Sequence, residues 1–578
     1  MATDDEGSTA AQRDRLAKQR RRRRMLTYGG LGGAVVAAAI AVYVVFFSVV
    51  VYHTVEEALT EVKRRHPSAD VRRDTTTGYA STISNLEATT TKSQEVDAGS
   101  AGQFAVDFLE APEVAAVIGV PKQAALRVTA TFVDPQRSGY NVVRIQQFVD
   151  QVKLFGADIA VSVRSGPSAA ISSVATRAAT VPELDMRPAI DEAAARERAS
   201  AHYVTLAADA RSRLAQDGQV GDVERVVFDP KRFGLAGDAS LAWRVRQASM
   251  QIFVDAKDGS IIASYDDRQF VLNRLTHDCG GNECLLVLNE KGSVLEPPAK
   301  PGPDAILAHN AAATAHGYYR KTFGRDGFDD VLGTGGKASI ESFVQVSDLG
   351  NAQWLPDALR LEFGVGWTTL DIAAHEYTHA VTQFGPNLVY LGEPGAVNEF
   401  FSDFFAAMIE RAVGTGTADW RIGEGVQGFS ATRPLRNMAD PHNGAFDKTK
   451  PFNLLTNAGQ PHHFNEIVTT TDTICASTFL ADNGCVHFNS GILAKAAVLA
   501  IDGGSFQGTT VVPIPRDEVE QIMFRTLMLG GVTASSNLKD TANGAVVACN
   551  QLAASAVFGI TAKDCTAFAQ AFTAVGLR

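Results

Sequence analysis

Residues 29–52 run without a charged side chain, and charged residues crowd both flanks. Coiled as a helix, that stretch is about 36 Å long, enough to cross a hydrocarbon layer of about 30 Å. Arg20, Arg21, Arg22, Arg23 and Arg24 precede it, and Glu56, Glu57 and Glu61 follow it. Cationic flanks stay on the cytoplasmic side. The pattern therefore predicts an uncleaved transmembrane signal anchor at 29–52, with 1–28 as a basic cytoplasmic tail and the rest of the chain outside. A cleavable signal peptide is the rival, but it has a shorter apolar core, and no clean small-x-small site follows Val51.

Beyond this span the period changes several times. Residues 165–180, rich in Ser, Ala and Thr, read as a linker or surface loop, and 191–215, rich in Ala, Glu and Arg, as a helix. The runs 224–228, 241–245 and 251–255 predict strands. Asp258-Gly259 is a hairpin signal leading into a further strand at 260–264. Residues 53–270 thus read as a small α+β module. From about 275 to 370, Gly-rich connections alternate with strand-like runs, and from 371 helical patterns continue to 578. The fold class is α+β, with a β-rich lobe followed by an α-helical lobe and a cleft between them where a site is expected.

Composition sharpens the picture in three ways. A chain of 578 residues exceeds one ordinary core, so two to four domains are expected. The net charge of −11 offers no domain-wide basic face and speaks against a nucleic-acid partner. Residues 1–28 hold eight cationic side chains against four acids, a net of +4, which leaves −15 for the remainder. All six cysteines lie on the predicted outer side, where an even count reads as disulfides. The sequence-local pairing is Cys279 with Cys284, Cys475 with Cys485, and Cys549 with Cys565.

The chemistry gathers at His375-Glu376-Tyr377-Thr378-His379. Histidines at i and i+4 leave one helix face about one turn apart, so both imidazoles can reach one tetrahedral zinc ion. Glu376 lies where it can take a proton from a water on that metal. Residues 371–384 read as the helix, stopped by Gly385-Pro386. A second helix begins near Pro394 and carries Glu399, Asp403 and Glu410, which offsets of 4 and 11 place on one face. Flanked by Phe400, Phe401, Phe404 and Phe405, these acids are costly to bury unless they meet cations. Glu399 completes a set of two histidines and one carboxylate, leaving the fourth position for water.

These residues resemble the thermolysin family of neutral metallopeptidases. The block 375–382, the block Gly395-Ala-Val-Asn-Glu-Phe-Phe-Ser-Asp403, and Asp482-Asn-Gly-Cys-Val-His-Phe-Asn-Ser-Gly491 fall in the family's order, and similarity extends over about 275–578. The resemblance implies a zinc endopeptidase with one catalytic Zn²⁺ on His375, His379 and Glu399 and with Glu376 as general base. It implies that His487 and Tyr390 contact the oxyanion and that Asp482 orients His487. Asp403 would fix the first zinc histidine and Asn398 would support the second. Asn351 and Ala352 are similar to the edge-strand segment that pairs with the substrate backbone, and Arg436 to the arginine on the substrate carbonyl. Leu435, Ile372, Ile422 and Val426 would line the primed-side pocket, implying cleavage on the amino side of large hydrophobic residues.

Asp371, Glu410, Asp419 and Glu424 fall at or near the family's calcium positions. Because Arg421 replaces an acidic residue there and the loop from Glu410 to Asp419 is one residue longer, one Ca²⁺ rather than two is implied. By the same resemblance, 53–270 is an inhibitory, folding-assisting propeptide and 271–578 the metallopeptidase domain, with a cut expected between Ser264 and Cys279. The implied partners are extracellular peptide or protein substrates, the chain's own propeptide, and a membrane through 29–52. The mature enzyme would act outside the cell, anchored or released. A neprilysin-like peptidase is disfavoured because its third glutamate lies farther from the histidines. A catalytically idle scaffold is disfavoured because every catalytic position is occupied.

Overall fold

The computed structural model describes residues 52 and 54–578, apart from 75–76, 87–95, 122, 181–182, 208–219, 248–249, 267–273, 282, 290–300, 331–338, 348, 415–418, 446–458 and 470–481. The predicted anchor (save Tyr52), the basic tail and Cys475 therefore lie outside the described residues. Residues 54–578 form one compact unit.

The first part is a ten-stranded sheet. Its strands are β1 (Asp70–Arg73), β2 (Ala80–Ser84), β3 (Ala124–Val133), β4 (Tyr140–Val149), β5 (Val152–Arg164), β6 (Ala170–Thr176), β7 (Val220–Phe228), β8 (Ser240–Gln247), β9 (Met250–Asp255) and β10 (Ile261–Asp266). The order is β1-β2-β6-β5-β7-β8-β9-β10, with β4 pairing both β3 and β5. Among the described residues, four α-helices accompany it: α1 (Val55–Arg65), α2 (Ala101–Leu109), α3 (Pro112–Ile118) and α4 (Glu192–Ala207). The predicted Asp258-Gly259 turn closes the antiparallel β9–β10 hairpin.

The linker expected at 165–180 is instead the central strand β6, buried along its length. Its Ala and Ser side chains carry no alternation of polarity because both faces are covered. They are small where a helix packs close, and Gln551 donates to Ser173 Oγ across that contact at 2.6 Å.

The second part begins with a five-stranded sheet of β11 (Leu275–Asp278), β12 (Leu285–Leu288), β13 (Glu341–Val346), β14 (Ala352–Leu355) and β15 (Arg360–Gly364), in the order β12-β11-β13-β15-β14. Reading 275–370 as strands and Gly-rich connections missed α5 (Pro303–Phe323), an Ala-rich helix whose buried face joins the main core. At β15, Gly364 approaches the Leu349 carbonyl so closely that any Cβ would collide with it. Glycine here lets the chain fold back tightly and leaves β14 as the outer edge.

Helices then dominate: α6 (Leu370–Gln383), α7 (Gly392–Val413), α8 (Asp482–Asp502), α9 (Arg516–Met528), α10 (Leu538–Ala554) and α11 (Ala562–Ala574). Among the described residues, two short ladders interrupt them, β16 (Arg421–Ile422) with β17 (Arg436–Asn437), and β18 (Gly504–Phe506) with β19 (Thr509–Val511). Among the described residues, α8 is the helix long and apolar enough to cross a bilayer, but it is a core helix, 83% buried over its most apolar window. Tyr377 of α6 stacks on Tyr319 of α5 at 5.6 Å, and Tyr319 meets Phe405 of α7, so one aromatic cluster fixes three helices. The pairs Cys279–Cys284 and Cys549–Cys565 are disulfide-bonded, as the sequence-local pairing expects.

Candidate metal centre

Residues 371–382 of α6 are buried throughout, so the histidines of its motif point into protein rather than water. Facing them, α7 is buried from Pro394 to Glu410. The two helices bring His375, His379 and Glu399 together, each offering a ligand atom within 4.8 Å of the others. The two histidine Nε2 atoms lie 3.0 Å apart, and each is 3.3 Å from an oxygen of Glu399.

The outer nitrogens decide what those inner atoms are. His375 Nδ1 donates to Asp403 Oδ1 at 2.8 Å, and His379 Nδ1 donates to Asn398 Oδ1 at 2.9 Å. A neutral imidazole that donates from Nδ1 presents a lone pair at Nε2. Two lone pairs and a carboxylate then face one point, and Glu399 Oε2, fully buried, takes no hydrogen bond. Such a donor set repels itself unless a cation sits among its members. Burial opposes charge on His375, yet the Glu399 and Asp403 carboxylates outweigh it and lift its pKa to about 10. The field at the site thus calls for positive charge. Two imidazoles and one carboxylate, a three-ligand set that leaves the fourth position for water, fit catalytic Zn²⁺.

Glu376 shares α6 with both histidines, and burial raises its pKa above the usual carboxylate range. Tyr390 donates its hydroxyl proton to Glu399 and lies 3.3 Å from His487 Nε2. His487 Nε2 is itself 3.4 Å from Glu399 Oε2. Asp482 accepts from both the ring Nδ1 and the backbone N–H of His487. That double contact requires a turn with positive φ at Asp482, Asn483, Gly484 and Cys485, so α8 is regular only after it. Left-handed backbone at three non-glycine residues costs energy, and such strain gathers at functional sites.

Arg436, in β17, sends Nε and Nη2 to the two oxygens of Asp403 at 2.7 and 2.6 Å. Ile372 and Leu435 flank Gly423, a positive-φ residue beside Ile422, and Val426 is buried in the same core. Asn351 and Ala352 sit at the start of the edge strand β14. Asp371 accepts backbone N–H bonds from Ile372 and Gly423. Burial, then repulsion from Asp371 and neighbouring acids, pushes Glu410 up to about 8 and Glu424 to about 7. One oxygen of each is buried without a hydrogen bond. This quartet is not among the groups of described residues whose ligand atoms converge.

Sequence reasoning passed over two residues. Ser402 Oγ lies 3.1 Å from His379 Nδ1, and its place one turn after Glu399 on the same helix was the available signal. Gln460 donates to the His487 carbonyl and to Ser490 Oγ, a long-range contact with no local signal.

Known proteins share this chain's plan. Residues 289–383 match the thermolysin metallopeptidase catalytic domain and 386–577 the thermolysin metallopeptidase alpha-helical domain. Neutral protease B of Bacillus subtilis (strain 168) is 30% identical over 430 residues, covering 63% of this chain and 71% of that protein. Thermolysin of Alicyclobacillus acidocaldarius subsp. acidocaldarius is 34% identical over 281 residues, covering 47% of this chain and 45% of that protein. Among solved structures, the precursor of protealysin, a metalloproteinase from Serratia proteamaculans, aligns with 54% of this chain and 88% of that chain at 20% identity and a TM-score of 0.41. With its His375, His379 and Glu399 grouped for zinc, the chain belongs to the thermolysin family of metallopeptidases and is a hydrolase.

Proposed function

We propose that the protein is a zinc endopeptidase that cuts extracellular peptides or proteins on the amino side of large hydrophobic residues. The observation that carries the reading is the convergence of Glu376, Tyr390 and His487 on the His375, His379 and Glu399 cluster. Zinc, when bound, polarises the attacking water and the scissile carbonyl. Glu376 accepts the proton of that water and passes it to the leaving amine. His487 and Tyr390 donate hydrogen bonds to the oxygen that gains charge, and Asp482, accepting from Nδ1–H, favours the protonated imidazolium, which then donates from Nε2. The open edge of β14 at Asn351 and Ala352 pairs with the substrate backbone, which fixes register without reading side chains. Ile372, Ile422, Val426 and Leu435 give the adjoining pocket its apolar lining. Arg436 binds the carbonyl beyond the scissile bond with a nitrogen not engaged by Asp403.

The test is a quenched peptide with Phe or Leu after the scissile bond. Hydrolysis is expected to stop with a chelator, to return with zinc, and to fall when Asp replaces the Phe or Leu. Activity that survives chelation would refute the assignment.

The remaining assignments follow from contacts and charge. Residues 53–270 act as a propeptide of the domain 271–578. Supporting this, Phe155, Phe228, Phe233 and Phe253 of the first sheet region pack with Val389 and Leu391, the neighbours of Tyr390. The Phe233 carbonyl lies against Gly392, a positive-φ residue with no room for a Cβ, and Arg246 pairs with Asp357 in the β14–β15 turn at 3.2 Å. The two disulfides and the charge asymmetry about 29–52 support an anchored chain with its catalytic part outside.

One calcium ion on Asp371, Glu410, Asp419 and Glu424 would relieve the repulsion among these acids and engage the orphan oxygens of Glu410 and Glu424. Calcium at a hundredfold excess over Kd should then stabilise the fold by about 2.7 kcal/mol. A rise in Tm that Glu410→Gln abolishes is the expected result, and an unchanged Tm in the parent would remove calcium from the account.

A further inference from the structure

Among the described residues, a second group of metal-ligating side chains converges away from the catalytic centre. His442, His462 and Glu466 each offer a ligand atom within 4.8 Å of the others. His442 Nε2 lies 3.0 Å from Glu466 Oε2, and His462 Nε2 lies 3.4 Å from Glu466 Oε1. The two imidazoles stack with centroids 3.7 Å apart and planes 21° from parallel. Each ring therefore turns the same nitrogen toward one carboxylate.

The backbone holds these side chains in place. Gln460 N donates to the Pro441 carbonyl at 2.7 Å. Gly459, with φ +58°, lies so close to His442 that a Cβ would strike that residue's backbone. His462 N donates to Glu466 Oε2 at 3.0 Å, and the His462 ring is braced edge-on by Phe506 at 4.9 Å. Two protonated rings stacked this closely would repel each other, whereas neutral rings offer two lone pairs beside one carboxylate, the set a metal ion takes.

We propose that His442, His462 and Glu466 form a second metal site, for a divalent transition-metal ion of the zinc, nickel or copper class. Two imidazoles and one carboxylate suit such ions, whereas calcium and magnesium prefer all-oxygen shells. Half-exposed His442 leaves the remaining positions to water. The site is structural. It ties the turn at 440–443 to the segment 460–466, whose Gln460 donates to the backbone carbonyl of His487 and whose neighbour Val468 is held by Asn489 of α8. An ion there would fasten this segment against the helix that carries His487. The proposal does not depend on what the catalytic centre does.

The experiment uses the full chain carrying Glu376→Gln, stripped with a chelator, reloaded with zinc and desalted, with bound metal counted by mass spectrometry. Two equivalents are expected, falling to one when His442→Gln and His462→Gln are added. One equivalent in both chains, or two in both, overturns the site. A second readout needs no further variant. Acylation of histidines by diethyl pyrocarbonate, mapped by peptide mass, should lose His442 and His462 as the second equivalent binds. Unchanged labelling of these two rings also overturns it.

Discussion

Replacing Glu376 by glutamine is expected to lower kcat by about 10²–10⁴-fold, the usual contribution of a positioned general base, with zinc content unchanged. Glutamine keeps the size of the side chain and its carbonyl acceptor but cannot take a proton. The site is built to make that loss specific. Glu376 is only 7% exposed, and burial raises its pKa toward the working pH of a base. It is not one of the three converging ligands, so the metal should stay bound when it is changed. If the propeptide is removed autocatalytically, the same variant will accumulate as an uncut chain, whereas the parent will be cut between Ser264 and Cys279. Turnover at the parental rate with one zinc bound would eliminate Glu376 as the base. A cut variant with no turnover would keep the mechanism and assign processing to another protease.

The parts of this fold legible from sequence are those in which the chemistry is local. The motif from His375 to His379 and the run from Glu399 to Asp403 announce themselves because helix periodicity alone puts their side chains on one face. The hairpin at Asp258-Gly259 is legible for the same reason, since turn chemistry needs no partner. What escaped depends on tertiary packing. Strand β6 looks like a linker because Ala and Ser suit a close helix contact as readily as a flexible loop. Helix α5, with alanines all along it, has little contrast between its faces. The turn from Asp482 to Cys485 has one glycine where four residues take positive φ, so its geometry is imposed by the bonds between Asp482 and His487. Gln460 acts on His487 through a contact that no sequence spacing encodes, while Ser402, one turn after Glu399, reaches His379 only because the two helices pack face to face.

Arg436→Ala should cost about 3–5 kcal/mol of folding stability, because it strands the buried charge of Asp403. Arg436 is 4% exposed, and its pair with Asp403 is bidentate at 2.7 and 2.6 Å. Burial raises the cost of ionising Asp403, yet Arg436 and His375 hold its pKa below the usual value. Without the guanidinium, Asp403 must take up a proton or draw one onto His375, to which it is hydrogen-bonded. The first change weakens the bond that sets the His375 tautomer and the second occupies the Nε2 lone pair; loss of such a partner lowers metal affinity by about 10–100-fold. Arg436→Lys separates charge from geometry. A lysine restores the positive charge but cannot bridge both oxygens, so it should recover part of the stability and little of the zinc affinity. The measurements are the urea midpoint of the chelated chain and the zinc Kd by competition with a chromogenic chelator. If Arg436 served only the substrate, both would match the parent and only KM would rise. A fall in both, before any substrate is added, would place the arginine in the framework of the metal centre as well as in the substrate cleft.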